Sequence, residues 1–285
     1  MLIPERIEKA KSLFELMNDH NEYKLMSSFE CLGNEIFSRT LSLPALKLSV
    51  SYVNSQKLLA KTFQSFFLRL SDVFYRLNQL NWMRAEFEKD DSKYSKWNVF
   101  AALSIKDFHV DLSSLMDSIS PILIQSTIGL KHNDHENFPG FPDIQESSKR
   151  TYRKELPLEL TTVIDSSATW WPNIKKIRDI LAHRDHDKIV FGKPSDGIFF
   201  QIYQRGLKAS IIDKHLLWKR GHNVVDFYLY SAFAIAEILC FLEEITIILM
   251  KHLNISKEGL THSWRIGNYQ YLIKSMDQLI EDNLT

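Results

Sequence analysis

Apolar side chains recur at helical spacing through the first half of the chain. Glycine and proline are both absent between Pro44 and Pro121. Steps of three and four residues place one apolar stripe on each of two helices. The first stripe comprises Leu59, Phe63, Phe66, Leu70, Val73, Leu77 and Leu80, and the second comprises Ile105, Phe108, Leu112, Leu115, Ile119 and Ile122. We therefore predict two long helices that pack as an antiparallel pair about a polar break at residues 90–92.

The second half of the chain mixes helical and strand periods. A helix with Ile174, Ile177 and Leu181 on its apolar face begins near Pro172, because proline is tolerated in the first turn. After Asp187 the period becomes two. The runs 188–191 and 198–203 flank a loop with glycine at both ends, which predicts a β-hairpin with a third short strand near 209–212.

Two further helices are predicted towards the carboxyl end. One lies within residues 222–258, which lack glycine and proline, and extends through Leu253; the other covers about 268–279. The predicted fold class is mainly α, an up-and-down helical bundle with a small β-hairpin inserted after the preceding helix. The expected domains are an amino-terminal helical extension (1–54), the bundle (55–255, hairpin at about 188–212) and a tail with a short helix (256–285).

Composition supports this class and limits the partners. The chain has 285 residues, 45% of them hydrophobic, which is typical of a globular protein. Only 9 glycines and 8 prolines occur, which favours long helices. Lysine plus arginine (35) balances aspartate plus glutamate (35), so nucleic acid would have to bind a local patch rather than a global positive field. Two cysteines, Cys31 and Cys240, are too few for a disulfide framework.

The most apolar stretch, residues 227–250, is long enough to cross a bilayer. Glu237, Glu243 and Glu244 interrupt it, and each is costly in lipid. A buried helix with a charged stripe is therefore expected. The amino terminus lacks the apolar core of a signal peptide, so we expect a cytoplasmic protein without membrane contact.

One segment combines the residue types needed for chemistry on phosphate. Residues 177–184 read Ile-Arg-Asp-Ile-Leu-Ala-His-Arg and end the helix that precedes the hairpin. Arg178 is followed by a polar residue, Asp179, and by a histidine, His183, five positions after the arginine. The bare spacing is a weak signal. Its context, at the end of a bundle helix, strengthens it.

In that context the segment resembles the signature of the HEPN superfamily, an arginine and a polar residue with a histidine four to six positions later. The resemblance covers about residues 55–255. It implies a metal-independent endoribonuclease without a cofactor, in toxin or antiviral defence, whose active site forms where two motifs meet in a homodimer. An antitoxin or other regulatory partner is also implied. Some family toxins carry a modified tyrosine two residues after the histidine, where this chain has Asp185.

The residue types support this chemistry independently. Cleavage of RNA without a metal needs a base for the 2′-OH, an acid for the leaving 5′-oxygen and a cation for the phosphoryl oxygens. His183 is the candidate acid and base, and Arg178 is the candidate phosphate ligand. Asp179, four residues before His183, is placed to orient the imidazole. A basic cluster is the candidate RNA-binding surface: Lys149, Arg150, Arg153, Lys154 and Arg184.

Three alternatives remain open. Arg178 and His183 are also common types at a helix carboxyl terminus, where they complement the dipole. Divalent metal could bind the polar clusters, although neither matches a metalloenzyme signature: His132, Asp134 and His135, or His183, Asp185, His186 and Asp187. The chain could instead be a catalytically inactive HEPN-like module for protein or nucleic-acid binding, with Trp170, Trp171 and the hairpin as its partner surface.

Overall fold

The structure is a computed structural model, and it describes residues 3–17, 22–42, 50–89, 94–128, 138–146, 151–182, 190–202, 224–255, 264–267 and 269–284. The helices in these ranges are α1 (Ile3–Lys11), α2 (Ser28–Ser42), α3 (Val50–Glu88), α4 (Tyr94–Thr127), α5 (Phe141–Gln145), α6 (Thr151–Glu155), α7 (Leu158–Ser166), α8 (Trp171–Ala182), α9 (Phe227–His252) and α10 (Gln270–Leu284). The strands are β1 (Phe14–Met17), β2 (Glu22–Leu25), β3 (Val190–Phe191), β4 (Phe199–Gln201), β5 (Val224–Asp226) and β6 (Trp264–Gly267). The mainly α fold class is confirmed.

Helices α3 and α4 form the predicted antiparallel pair. Every residue of the two apolar stripes is buried in the main hydrophobic core. Polar contacts fix the register at two heights: Thr62 Oγ1 lies 3.3 Å from Gln125 Oε1, and Arg76 Nε lies 3.4 Å from Asp111 Oδ2. The polar break at 90–92 lies outside the described residues. Core packing along these stripes sets the scaffold on which the rest of the chain assembles.

Helix α9 is the most buried long helix, as its composition predicts. Asp226 caps its amino terminus by accepting from the backbone N–H groups of Tyr228 (2.8 Å) and Leu229 (3.3 Å). Glu243 accepts from Ser27 Oγ (3.1 Å) and from the Ser28 N–H (2.7 Å), which joins α9 to the start of α2. Within the described ranges, a helix long and apolar enough to span a membrane is absent.

The amino-terminal residues are more than a helical extension. Helix α1 packs against α9 and α10, and α2 packs against α3 and α9. Strands β1 and β2 pair antiparallel, and β6, from the far end of the sequence, adds to β2. The two ends of the chain therefore meet in one three-stranded sheet beside the bundle.

The hairpin after α8 is confirmed as β3 and β4, which pair antiparallel with Val190 opposite Phe200. Its loop contains a 3₁₀ turn at Pro194–Asp196, and Gly197 follows with a φ of +116°, a conformation that favours glycine. The third strand of this sheet is β5, which immediately precedes α9. The third strand expected near 209–212 lies outside the described residues.

Candidate functional site

Helix α8 carries the described half of the Arg-Asp-His motif. Its apolar face, with Ile174, Ile177 and Leu181, is buried, and the helix packs against α4. Arg178 flanks this face and Asp179 lies opposite it, and their side chains are partly exposed, at 30% and 45%. The sequence folds this way because the apolar residues repeat every three to four positions, which buries one face of the helix and leaves Asp179 on the opposite face.

Arg178 and Asp179 form an ion pair within one helical turn. Arg178 Nε lies 2.9 Å from Asp179 Oδ1. The contact lacks the direction of a hydrogen bond, and Nε has no hydrogen-bond partner among the described residues. Nε is itself shielded from solvent, so the exposed 30% of the side chain lies at its other atoms. Asp179 contacts its neighbour Arg178 here, whereas helical spacing alone predicts contacts with residues four positions away.

His183 and Arg184 lie outside the described residues, as does the whole stretch between α8 and β3. In the sequence His183 directly follows Ala182, the last residue of α8. Its roles as acid and base remain predictions.

The structure describes two residues of the basic cluster, Arg153 and Lys154, and they differ in their surroundings. Lys149 and Arg150 lie outside the described residues. Arg153 on α6 is 9% exposed; it donates to the carbonyl oxygens of Ile144 (2.9 Å) and Gln145 (3.3 Å) and pairs with Asp165 at 2.5 Å. Arg153 thus ties the end of α5 to α7, while Lys154 beside it is exposed.

Trp170 and Trp171 do not form a surface. They are only 4% and 1% exposed, and their rings pack edge-on against each other at 6.1 Å. Trp170 also packs against Phe241 of α9. The expectation that this pair forms a partner surface is wrong, because the start of α8 is inserted into the core.

The metal hypotheses concern residues that the structure leaves out. His132, Asp134, His135, His183, Asp185, His186 and Asp187 all lie outside the described ranges. Across the ranges that are described, no group of three histidine, cysteine, aspartate or glutamate side chains is placed to hold a metal ion. Cys31 and Cys240 are buried and are not joined in a disulfide.

One buried histidine was not among the residues that the sequence pattern singled out. His109 on α4 has no solvent exposure; its Nδ1–H donates to the Ile105 carbonyl oxygen (2.7 Å), and its Nε2 accepts from the Tyr230 hydroxyl (2.9 Å). Burial lowers the pKa of His109 to about 4, against a smaller opposing effect of the bond to Ile105. Its position beside the apolar stripe at Phe108 gave no signal of this pairing, because Tyr230 is remote in sequence.

This histidine predicts a pH-dependent stability. As the pH decreases from 7 to 4, His109 binds a proton more readily in the unfolded chain than in the folded chain. The free energy of unfolding is therefore expected to decrease by about 3 kcal/mol over this range. His109→Gln is expected to be less stable at pH 7 and to lose this part of the slope in urea titrations. His252→Gln, at an exposed histidine, should keep the wild-type slope. An unchanged slope in His109→Gln would contradict the assignment.

Comparison of the chain with models of protein families, with curated proteins and with solved structures found no match. The geometry of α8 and its surroundings is therefore the basis for any functional assignment.

Proposed function

We propose that this protein is a metal-independent endoribonuclease of the HEPN type that cleaves RNA by attack of the 2′-OH on the adjacent phosphate. The observation that supports the proposal is the partial exposure of the Arg178 side chain on α8 (30%), next to Asp179. In this proposal the exposed part of the Arg178 side chain meets the phosphate.

Each step of the reaction is assigned to a named residue. His183 removes the 2′-OH proton as the base and protonates the leaving 5′-oxygen as the acid. Arg178 stabilises the negative charge that builds on the non-bridging phosphoryl oxygens. Asp179 limits the movement of the guanidinium, which it contacts at 2.9 Å, and lies four residues before His183.

A homodimer follows from the proton count. One chain contributes one His183, but transesterification moves two protons at two different oxygens. Two motifs facing each other across a two-fold axis supply a base from one protomer and an acid from the other. Lys149, Arg150, Lys154 and Arg184 hold the RNA backbone in this proposal, and Arg153 supports the surface from within. A role in toxin or antiviral defence, controlled by an antitoxin or other regulatory partner, belongs to the same proposal.

A catalytically inactive binding module is the second candidate. The observation that favours it is the same ion pair, because a carboxylate 2.9 Å from Arg178 already neutralises part of its charge. In this case Arg178 is a surface residue of a helical module that binds RNA or protein without cleaving it.

The two candidates differ in a cleavage assay with EDTA present. The wild-type protein is expected to cleave a mixed RNA pool, and Arg178→Ala is expected to be slower by about 10²-fold, the usual cost of losing one donor to the transition state. Lys176→Ala, an exposed cation on the same helix, is the matched control and should cleave at the wild-type rate. A folded wild-type protein without activity, or equal rates for Arg178→Ala and wild type, would favour the binding module.

A further inference from the structure

An open groove with a mixed polar and apolar lining lies between α3 and α4, and residues 138–140 close one of its sides. Its volume is about 640 Å³, within the ~300–1,000 Å³ of typical small-molecule sites. Helix pairs are usually joined mainly by apolar contacts, as the two buried stripes of α3 and α4 show. The polar side of this lining includes Lys61, Arg69, Asp117 and Gln125.

Two cations and a hydroxyl line one stripe of the groove. Lys61, Ser65 and Arg69 are spaced by four residues along α3, and all three are exposed. The two cations lie about 12 Å apart along the helix axis, with Ser65 midway between them. Among the described carboxylates, none lies within ion-pair distance of Lys61 or Arg69. Their charges are available to an anion.

The floor of the groove contains a buried amide with an unused polar atom. Gln125 is 7% exposed, and its Oε1 lies 3.3 Å from Thr62 Oγ1. Its Nε2 has no hydrogen-bond partner in the described part of the chain. Either orientation of the amide leaves one buried polar atom unpaired, and such an atom is costly unless a ligand or water satisfies it.

The wall opposite α3 adds an acceptor. Asp117 on α4 accepts from the Phe141 N–H through Oδ1 (3.0 Å), which anchors the start of α5 at the rim. The antiparallel register that joins Thr62 to Gln125 places Asp117 across from Arg69. A carboxylate in this position accepts hydrogen bonds from sugar-type hydroxyls. The groove thus offers cations, an acceptor and an amide in one small volume.

We propose that this groove binds a phosphorylated small molecule of the nucleotide class, with its phosphate between Lys61 and Arg69 above Ser65 and its uncharged body directed to Asp117 and Gln125. A small ligand fits this groove better than an RNA strand does, because the volume is limited and the buried amide at the floor is within reach of a compact molecule. This site is separate from α8 and does not depend on the proposed nuclease activity.

Calorimetric titration with ADP and with inorganic pyrophosphate tests the site. The wild-type protein is expected to bind both, and the double variant Lys61→Gln/Arg69→Gln is expected to bind each at least about ten-fold more weakly, because both probes need the cations. Lys96→Gln, at an exposed lysine outside the groove, is the matched control and should bind as wild type does.

The variant Gln125→Leu measures the contribution of the groove floor to binding independently of the two cations. This variant is expected to bind ADP about ten-fold more weakly and to bind pyrophosphate with unchanged affinity, since only ADP has an uncharged part that reaches the floor. Thermal unfolding confirms that each variant is folded before titration. The proposal is overturned if neither probe binds the wild-type protein at millimolar concentration. It is also overturned if a short single-stranded oligoribonucleotide binds through Lys61 and Arg69 while ADP does not.

Discussion

His183→Ala is expected to lower the rate of RNA cleavage by at least about 10³-fold, because general acid–base catalysis supplies ~10²–10⁴-fold and this histidine serves both proton transfers in the dimer. The variant removes the base from one protomer and the acid from the other at once. Its effect should therefore exceed that of Arg178→Ala, which weakens charge stabilisation alone.

The measurement is the initial rate of cleavage of a labelled RNA in EDTA, at matched concentrations of folded protein. His186→Ala is the matched control, since His186 lies three residues further along the chain and has no role in the proposed mechanism. A His183→Ala variant that retains most of the wild-type rate would exclude acid–base catalysis by this residue. Loss of activity only in His186→Ala would point to the other histidine.

The second large effect is expected at a buried ion-pair cluster that joins the amino terminus to the core. Arg6 of α1 is 13% exposed; its Nε lies 2.7 Å from Glu237 Oε2, and its Nη1 lies 2.9 Å from Glu244 Oε1. Burial raises the pKa of Glu237, although Arg6 opposes this shift. These glutamates interrupt the apolar stretch of α9, and Arg6 is what allows them to stay near the core.

Arg6→Ala is expected to lower the free energy of unfolding by about 3–5 kcal/mol, because it leaves an uncompensated buried carboxylate. Urea titration at pH 7 measures the change. Lys89→Ala removes an exposed ion pair with Glu86 and is the control, with an expected loss below about 1 kcal/mol. Equal losses in the two variants would show that α1 is not held by this cluster.

The long helices were predictable because the apolar pattern that specifies each helix lies within its own segment of the sequence. The stripes from Leu59 to Leu80 and from Ile105 to Ile122 repeat at one period over several turns, so each position supports the same prediction. The β3–β4 hairpin was equally clear, since Gly192 and Gly197 bracket a short loop between two apolar runs. Buried α9 followed from its composition.

The sheet that joins the chain ends was not predictable from one sequence. Strand β2 pairs with β6 across most of the chain length, and each strand has four residues, too few to show a reliable alternation. The partners of Arg6, Glu237 and Glu244, are also remote in sequence, so no local pattern reveals this ion pair. Helix α1 was expected as part of an extension, but its contacts with α9 and α10 depend on tertiary packing that no local pattern encodes.

Part of the candidate site was visible in the sequence. The positions of Arg178 beside the buried face of α8 and of Asp179 opposite it follow from the apolar residues Ile174, Ile177 and Leu181. The setting of Arg153 does not, because its carbonyl partners on α5 and its carboxylate on α7 come together only in the folded chain. The same holds for Gln125, whose unpaired amide depends on the α3–α4 register.

The chemical nature of the RNA ends tests the central claim most directly. Cleavage by the wild-type protein in EDTA is predicted to leave 2′,3′-cyclic phosphate and 5′-hydroxyl ends, because the 2′-OH is the nucleophile and the 5′-oxygen is the leaving group. End-labelling before and after removal of the cyclic phosphate identifies these products. Products with 3′-hydroxyl and 5′-phosphate ends, or cleavage only after a divalent metal is added, would contradict the mechanism and indicate hydrolysis by a metal-bound water.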